Sequence, residues 1–190
     1  MPTPRLKPLD RQVILITGAS SGIGLAATRL AARRGAAVLL VSRNGDALRG
    51  IAEQLREQGG RADWAVADVA DRDALEAAAR KAEEVFGGID SWVNDAGVST
   101  YGTLEQVPVE DQRRLFETNY WGVVHGSLIA AQALRRRGSG AIVNIGSVLS
   151  DRAMIFQGAY SASKHAVKAF TDTLRMELAH AGAPISVTLI

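Results

Sequence analysis

Two residues near the C-terminal end of the sequence have side chains suited to proton transfer. Tyr160 and Lys164 are four positions apart in a segment with helical periodicity, so they share one face of a predicted helix. An ammonium group beside a phenol favours the phenolate and can lower a tyrosine pKa from about 10 toward neutral pH. The pair is a candidate general acid or base for interconverting an alcohol and a carbonyl, although the same spacing is common on helix surfaces.

Two further polar residues extend this candidate catalytic set. Ser147 follows the apolar segment 141–145, a predicted strand, where its hydroxyl can hold a substrate oxygen or simply belong to a turn. Asn119 lies inside the long helical segment 109–137, which we expect to form in two pieces around it. A polar residue there can bend the helix and order a water molecule.

A glycine-rich segment follows the first predicted strand and reads TGASSGIG over residues 17–24. Glycines permit a tight turn and a close approach of the backbone to a pyrophosphate, which the free N–H groups of the next helix then face. A glycine-rich turn without a ligand is the alternative, and its place at the start of an alternating α/β chain disfavours it. The expected cofactor contacts are Gly18, Ser20, Ser21, Gly22, Ile23 and Gly24.

The end of the second predicted strand bears on the choice of nucleotide. An acid at this place binds the 2′-hydroxyl of the adenine ribose, whereas a basic residue accommodates a 2′-phosphate. Here the strand is followed by Arg43 and Asn44, which favours NADP over NAD. Asp46 is the competing acid, but it falls in the first turn of the next helix, where it complements the helix dipole. Arg43 as an ordinary surface residue is the other alternative.

The third predicted strand, 64–69, contributes a further candidate at the same edge. Asp68 and Val69 lie where a strand ends toward the ligand crevice, so Asp68 is expected to hold the adenine amino group. Capping of the following helix by Asp68 is nearly as well supported, and the two roles are compatible.

Short apolar segments alternate with segments of helical periodicity along the chain, which predicts a parallel sheet covered on both faces. The predicted strands are 13–16, 37–41, 64–69, 89–94, 141–145 and 185–190. The predicted helices are 23–34, 46–58, 71–86, the two pieces of 109–137, and 159–181. Asn44 is expected to cap the second helix.

Over nearly its whole length the chain resembles the short-chain dehydrogenase/reductase family. The matching motifs are TGASSGIG at 17–24, NDAG at 94–97, Asn119 in ETNYWG, NIGS at 144–147 and YSASK at 160–164. The resemblance implies one doubly wound, Rossmann-like α/β domain with strand order 3-2-1-4-5-6. We expect an irregular arm at 1–10 and a dinucleotide-binding and catalytic domain at 11–190.

The resemblance also implies a role for each candidate residue. Tyr160 would exchange a proton with the substrate oxygen, which Ser147 would steady. Lys164 would lower the pKa of Tyr160 and bond the nicotinamide ribose, and Asn119 would support a water-linked proton relay. The cofactor carries the hydride.

The sequence departs from the family pattern in two places. The turn usually written Asn-Asn-Ala-Gly is Asn94-Asp95-Ala96-Gly97 here, and in the family this turn lies beside the cofactor, so Asn94, Ala96 and Gly97 are expected contacts. Asp95 resembles asparagine in shape but adds charge, which can cost stability or pair with a nearby cation. Family members also continue past strand six into a substrate-covering segment, so the chain is expected to be truncated there.

Composition narrows the function classes. The net charge of +2 provides no strong field for nucleic acid, and the basic run Arg135-Arg136-Arg137 is expected to be a solvated loop. The absence of cysteine excludes disulfides and thiolate catalysis, and the three histidines lack metal-ligand spacing, so no metal is expected. No apolar run approaches the ~20 residues of a membrane span, which favours a cytoplasmic protein without membrane partners.

The sequence therefore predicts an NADP-dependent oxidoreductase acting on a small carbonyl or alcohol substrate. The alternatives are a non-catalytic NADP-binding protein and an inactive fragment of a longer reductase. A homodimer or homotetramer is expected, because the long helices 109–137 and 159–181 resemble those that pair in family oligomers.

Overall fold

The computed structural model describes residues 4–190, which form a six-stranded parallel sheet with the order β3-β2-β1-β4-β5-β6. This order and the parallel pairing confirm the predicted topology. The strands are β1 Val13–Thr17, β2 Ala37–Ser42, β3 Arg61–Val66, β4 Ser91–Asn94, β5 Gly140–Asn144 and β6 Ile185–Leu189.

Six α-helices connect the strands: α1 Gly22–Arg33, α2 Gly45–Glu57, α3 Arg72–Phe86, α4 Val109–Phe116, α5 Gly122–Arg137 and α6 Gly158–His180. A π-helical segment, Glu117–Trp121, joins α4 to α5, and short 3-10 turns occur at Leu9–Arg11 and Val148–Ser150. The predicted division of this helical region around Asn119 is therefore confirmed as a change of helical type.

Caps at the helix ends explain where α2 and α3 begin. The side chain of Asn44 accepts a hydrogen bond of 3.1 Å from the Ala47 N–H, which confirms the predicted cap of α2. Asp71 caps α3 in the same way, at 3.1 Å from the Ala74 N–H. The capping role considered for Asp68 is therefore wrong, because Asp71 occupies the position from which a side chain reaches the first turn.

The predicted position of the third strand is wrong by three residues at each end. β3 pairs with β2 from Arg61 to Val66, and residues 67–69 leave the sheet at its carboxyl edge. The apolar pattern misled the prediction because β3 is an edge strand, where exposed polar residues such as Arg61 are tolerated. The other boundaries differ from prediction by one or two residues.

The prediction that the basic run at 135–137 forms a loop is wrong, because these residues form the last turn of α5. Positive side chains are favourable there because they complement the negative end of the helix dipole. Arg136 pairs with Glu83 of α3, and Arg137 pairs with Asp90.

Helices cover both faces of the sheet and enclose two apolar layers. One layer joins the sheet to α1 and α2, and the other joins it to α3, α5 and α6. Trp92 of β4 is completely buried in the second layer, as the sequence predicts. Gly126 of α5 crosses above it, and a Cβ atom on Gly126 would lie 2.2 Å from Asn94 Oδ1. Only glycine lets α5 approach the sheet this closely.

A buried carboxylate, that of Asp90, lies at the amino-terminal edge of the sheet. Asp90 is 5% exposed and accepts hydrogen bonds from Lys7 at 2.6 Å, the Val13 N–H at 2.9 Å and Arg137 at 3.0 Å. Burial alone would raise the pKa of Asp90, but these three donors outweigh it and hold the pKa below its ordinary value. The network ties the described part of the N-terminal arm to β1 and α5.

We expect Asp90→Asn to destabilise the fold by about 2–3 kcal/mol at pH 7, because it removes a charge that three donors satisfy. The pKa of the Asp90 carboxyl group is lower in the folded state than in the unfolded state. The group therefore stabilises the folded state at pH values above its unfolded pKa, and this stabilisation is lost as pH falls through the folded pKa. The difference between variant and wild type should therefore shrink in acid. Urea denaturation at several pH values measures both effects.

Asp172→Asn is the matched control, because Asp172 pairs with Arg175 on the exposed surface of α6. Its effect should stay below about 1 kcal/mol at every pH. Equal effects of the two substitutions would contradict the role assigned to Asp90.

Candidate active site

A cavity of about 620 Å³ opens at the carboxyl edge of the sheet, where the loops after β1 to β5 meet the start of α6. This volume lies within the range of about 300–1,000 Å³ that small-molecule sites occupy. Its lining includes most residues that the sequence singles out: Gly18, Ser20, Ser21, Gly22, Ile23, Arg43, Asn44, Asp68, Val69, Ala96, Gly97, Tyr160 and Lys164.

The loop between β1 and α1 needs glycine for reasons of space and backbone angle. Gly18 has a φ of +71°, and a Cβ there would lie 2.9 Å from the Ala96 backbone nitrogen. At Gly24, a Cβ would lie 2.5 Å from the Gly18 carbonyl oxygen, so this residue packs behind the loop and is not part of the cavity lining. The two glycines bring the loop against the turn after β4.

Helix α1 begins at this loop without the capping found at α2 and α3. Ser21 occupies the cap position but its side chain makes no capping hydrogen bond, and the first turn contains no acidic residue. The Gly24 N–H of this turn bonds to the Asp95 carboxylate, whereas Gly22 and Ile23 line the cavity at the positive end of the helix dipole, an arrangement that favours a bound anion.

Arg43 and Asn44 line the end of the cavity that is formed by the loop after β2. The competing acid, Asp46, lies in the first turn of α2 and outside the cavity lining. It pairs with Arg49 at 3.3 Å. The loop therefore presents a cation and no acid to the cavity at this end.

Asp68 lies at the same end, and its carboxylate is already engaged by protein donors. It accepts a hydrogen bond of 3.0 Å from the Ala70 N–H and pairs with Arg114 of α4. Burial raises the pKa of Asp68, but these two partners and the charge of Arg43 more than offset it, so the pKa is lowered. The sequence did not predict Arg114 as a partner of Asp68, because the two residues are 46 positions apart and no motif connects them.

Asn94 itself does not line the cavity. Its side chain is buried among polar groups of the core, where it donates to Asn144 at 2.8 Å and Ser127 at 3.1 Å and accepts from Trp92 at 2.8 Å. Asn144 in turn donates to Thr171 of α6 at 2.9 Å. This network joins β4 and β5 to α5 and α6 just below the cavity.

The turn after β4 is attached to β1 through one hydroxyl. Thr17 Oγ1 accepts hydrogen bonds from the backbone N–H of Asp95 at 3.1 Å and of Ala96 at 3.2 Å. Asp95 lines the cavity although the sequence did not identify it as a site residue. Its departure from the family motif was the only available signal.

Asn119 is completely buried in the π-helical segment and does not line the cavity. Its side chain accepts from the Val98 N–H and donates to the Val98 carbonyl, both at 2.8 Å, and donates to Ser163 of α6 at 3.3 Å. Val98 does line the cavity. Asn119 therefore fixes the backbone of the cavity wall, a contact that its position in the sequence did not reveal.

Tyr160 and Lys164 occupy the cavity end opposite Arg43, one turn apart on α6. Lys164 Nζ lies 5.8 Å from the centroid of the Tyr160 ring and donates to the Ile145 carbonyl at 2.7 Å. Burial lowers the pKa of Lys164, and the negative charge of Asp95 partly opposes this shift.

Ser147 follows Ile145 and Gly146, which line the cavity, but Ser147 is not itself part of the lining. Its Oγ accepts from the Leu149 N–H at 3.1 Å, and its own N–H donates to Ser150 Oγ at 3.1 Å. These bonds form a capping box at the 3-10 turn. Within residues 4–190 the Ser147 hydroxyl proton has no acceptor, so the group retains a donor.

Two of the histidines have structural hydrogen bonds. His125 and His165 make hydrogen bonds to the backbone carbonyls of Val69 and Ser161. Over residues 4–190 no cluster of three or more acidic or histidine side chains has metal-binding geometry. In the same part of the chain, no helix is long and apolar enough to cross a membrane.

Known proteins are similar to this sequence over almost all of its length. Oxidoreductase YxnA of Bacillus subtilis, itself described as uncharacterized, is 46% identical over 187 residues, which cover 98% of this chain and 52% of YxnA. The chain therefore spans about half the length of this relative.

Solved structures share the fold. A short chain dehydrogenase/reductase from Burkholderia phymatum in complex with NAD superposes with a TM-score of 0.93 at 33% identity, covering 97% of this chain and 66% of that one. An alcohol dehydrogenase from Thermococcus sibiricus complexed with 5-hydroxy-NADP gives 0.83 at 34% identity, covering 87% and 71%. The short chain dehydrogenase family model matches residues 12–190, and the chain belongs to this family of oxidoreductases.

Proposed function

We propose that the protein transfers a hydride between NADP(H) and a carbonyl or secondary alcohol, with Tyr160 as the general acid or base. The observation that carries this proposal is that Tyr160 and Lys164 line the same cavity as the uncapped start of α1. One part of the cavity is suited to a phosphate group and the opposite part to proton transfer. When bound, the nicotinamide supplies or accepts the hydride.

The residues present fit a dinucleotide. At Gly22 a Cβ would meet no atom within 4 Å, so the space above the first turn of α1 is free for a ligand. Ser20 and Ser21 add hydroxyl donors at this point, and Ile23, 65% exposed, offers an apolar surface. The pyrophosphate would bind to this loop, and Ala96 and Gly97 would contact the part of the nucleotide nearer to Tyr160.

NADP is favoured over NAD by the charges at the far end of the cavity. Arg43 can donate two hydrogen bonds to a 2′-phosphate, while Asp46 is held by Arg49 outside the cavity. Asp68 is engaged by Arg114 and Ala70, so we assign it to the wall of the adenine site, with Val69 beside it. The structural relatives are bound to NAD in one case and to an NADP derivative in the other.

Proton transfer is assigned to the phenol oxygen of Tyr160. Lys164 is held beside the ring by its bond to Ile145, and its ammonium stabilises negative charge on the phenol oxygen when the proton leaves. The Ser147 hydroxyl steadies the substrate oxygen with its available proton. Asn119 acts through the Val98 backbone and is a positioning residue in this proposal.

Tyr160→Phe should lower kcat for carbonyl reduction by at least about 100-fold, because it removes the proton donor and leaves the ring in place. Binding of NADPH, measured by fluorescence titration, should change little. Tyr101→Phe is the matched control, since Tyr101 is 76% exposed and lies outside the cavity lining. Turnover that survives Tyr160→Phe would contradict the mechanism.

Arg43→Ala should weaken NADPH binding by about 10- to 100-fold while NADH binding changes little, because only NADPH has the 2′-phosphate. Dissociation constants of both nucleotides are compared for the wild type and the variant. Arg49→Ala serves as the control, because Arg49 is a neighbouring arginine outside the cavity lining. A loss that is equal for the two nucleotides would argue against NADP preference.

A further inference from the structure

The carboxylate of Asp95 lies directly behind the glycine loop. Its Oδ2 atom is 3.0 Å from the point where a Cβ on Gly18 would lie, and 2.6 Å from the corresponding point at Gly24. Two hydrogen bonds to Thr17 fix the backbone of this turn. The cavity wall at the proposed pyrophosphate site therefore contains an acid.

Few groups compensate this charge. A hydrogen bond from the Gly24 N–H of α1 and the positive charge of Lys164 on α6 both favour the ionised form of Asp95 and so lower its pKa. The other ionisable groups that line the cavity are Arg43, Asp68 and Tyr160. Burial raises the pKa of Asp95 and outweighs both favourable contacts.

A pyrophosphate bound at the start of α1 brings negative charge to the same loop. Two like charges placed close together disfavour each other, and a carboxyl group relieves the repulsion when it binds a proton. Asparagine at this position would keep the shape of the side chain without this conflict. The acid thus makes nucleotide binding depend on its own protonation.

We propose that Asp95 makes dinucleotide binding proton-linked: its carboxyl group takes up a proton from solvent as the pyrophosphate binds, so affinity falls as pH rises. This inference rests on the proposed function, since it assumes that the glycine loop binds a dinucleotide.

The sign of the effect follows from linkage. A negatively charged ligand raises the pKa of the Asp95 carboxyl group, because it repels the ionised form. Affinity is therefore highest at pH values below the pKa that Asp95 has in the free protein, where burial already raises that pKa above 3.8. Affinity then declines with a slope of at most one unit of log Kd per pH unit and levels off above the pKa of the complex. Wild-type protein should show this decline, and Asp95→Asn should not.

Isothermal titration calorimetry of NADH and NADPH across the pH range, in two buffers with different heats of ionisation, measures both affinity and proton uptake. NADH is the cleaner probe, because the 2′-phosphate of NADPH titrates at a pKa of about 6 in every variant. With NADH, we expect Asp95→Asn to bind about tenfold more tightly than wild type at alkaline pH, which corresponds to a pKa rise of about one unit on binding. Its proton uptake should be lost.

Asp46→Asn is the matched control, because Asp46 lies outside the cavity lining, and it should retain the wild-type pH dependence. Asp95→Ser provides a second uncharged variant if Asp95→Asn does not fold. Equal pH slopes and equal proton uptake in wild type and the uncharged variants would overturn the role of Asp95. Failure of every variant to bind either nucleotide is a different result, and it would overturn the proposed function itself.

Discussion

The hydrogen bond between the side chains of Asn94 and Asn144 is the interaction on which the rest of the site depends. These residues end β4 and β5 and are paired in the sheet register, so the bond joins the two strands from which the cavity loops leave. Ser127 and Thr171 extend the bond to α5 and α6. Buried polar groups are costly unless all are satisfied, and here each amide is paired, so the two strands and two helices are held as one unit.

Each side of the cavity is attached to this unit by a short connection. Thr17 links the turn after β4 to β1, Asn119 clamps Val98, and Lys164 reaches back to the carbonyl of Ile145. Most of these bonds end on backbone atoms, so they fix loops that have no regular structure of their own. The residues proposed for proton transfer are consequently supported by the central strands of the sheet rather than by its edges.

Much of the fold was predictable because its signals are local. Alternating apolar and helical segments predicted the parallel sheet, and Asn44 marked the start of α2 because a cap acts within three residues. The errors arose where tertiary contacts decide. Pairing with β2 fixed the bounds of β3, and Asp71 rather than Asp68 reached the first turn of α3. The core-facing side chain of Asn94 was likewise not visible in the sequence. A motif shows that a residue matters, but not which way its side chain points.

The contact between Gly126 and Asn94 has a consequence for how this protein can change over evolution. A Cβ on Gly126 would also lie 2.9 Å from Trp92 Nε1, so the glycine is confined by both polar partners at once. A side chain at position 126 would clash with Asn94 and Trp92, whereas a smaller residue at 94 would remove only the nearer obstacle and would break the link between the strands. We therefore expect the effects of substitutions at the two positions to depend on each other.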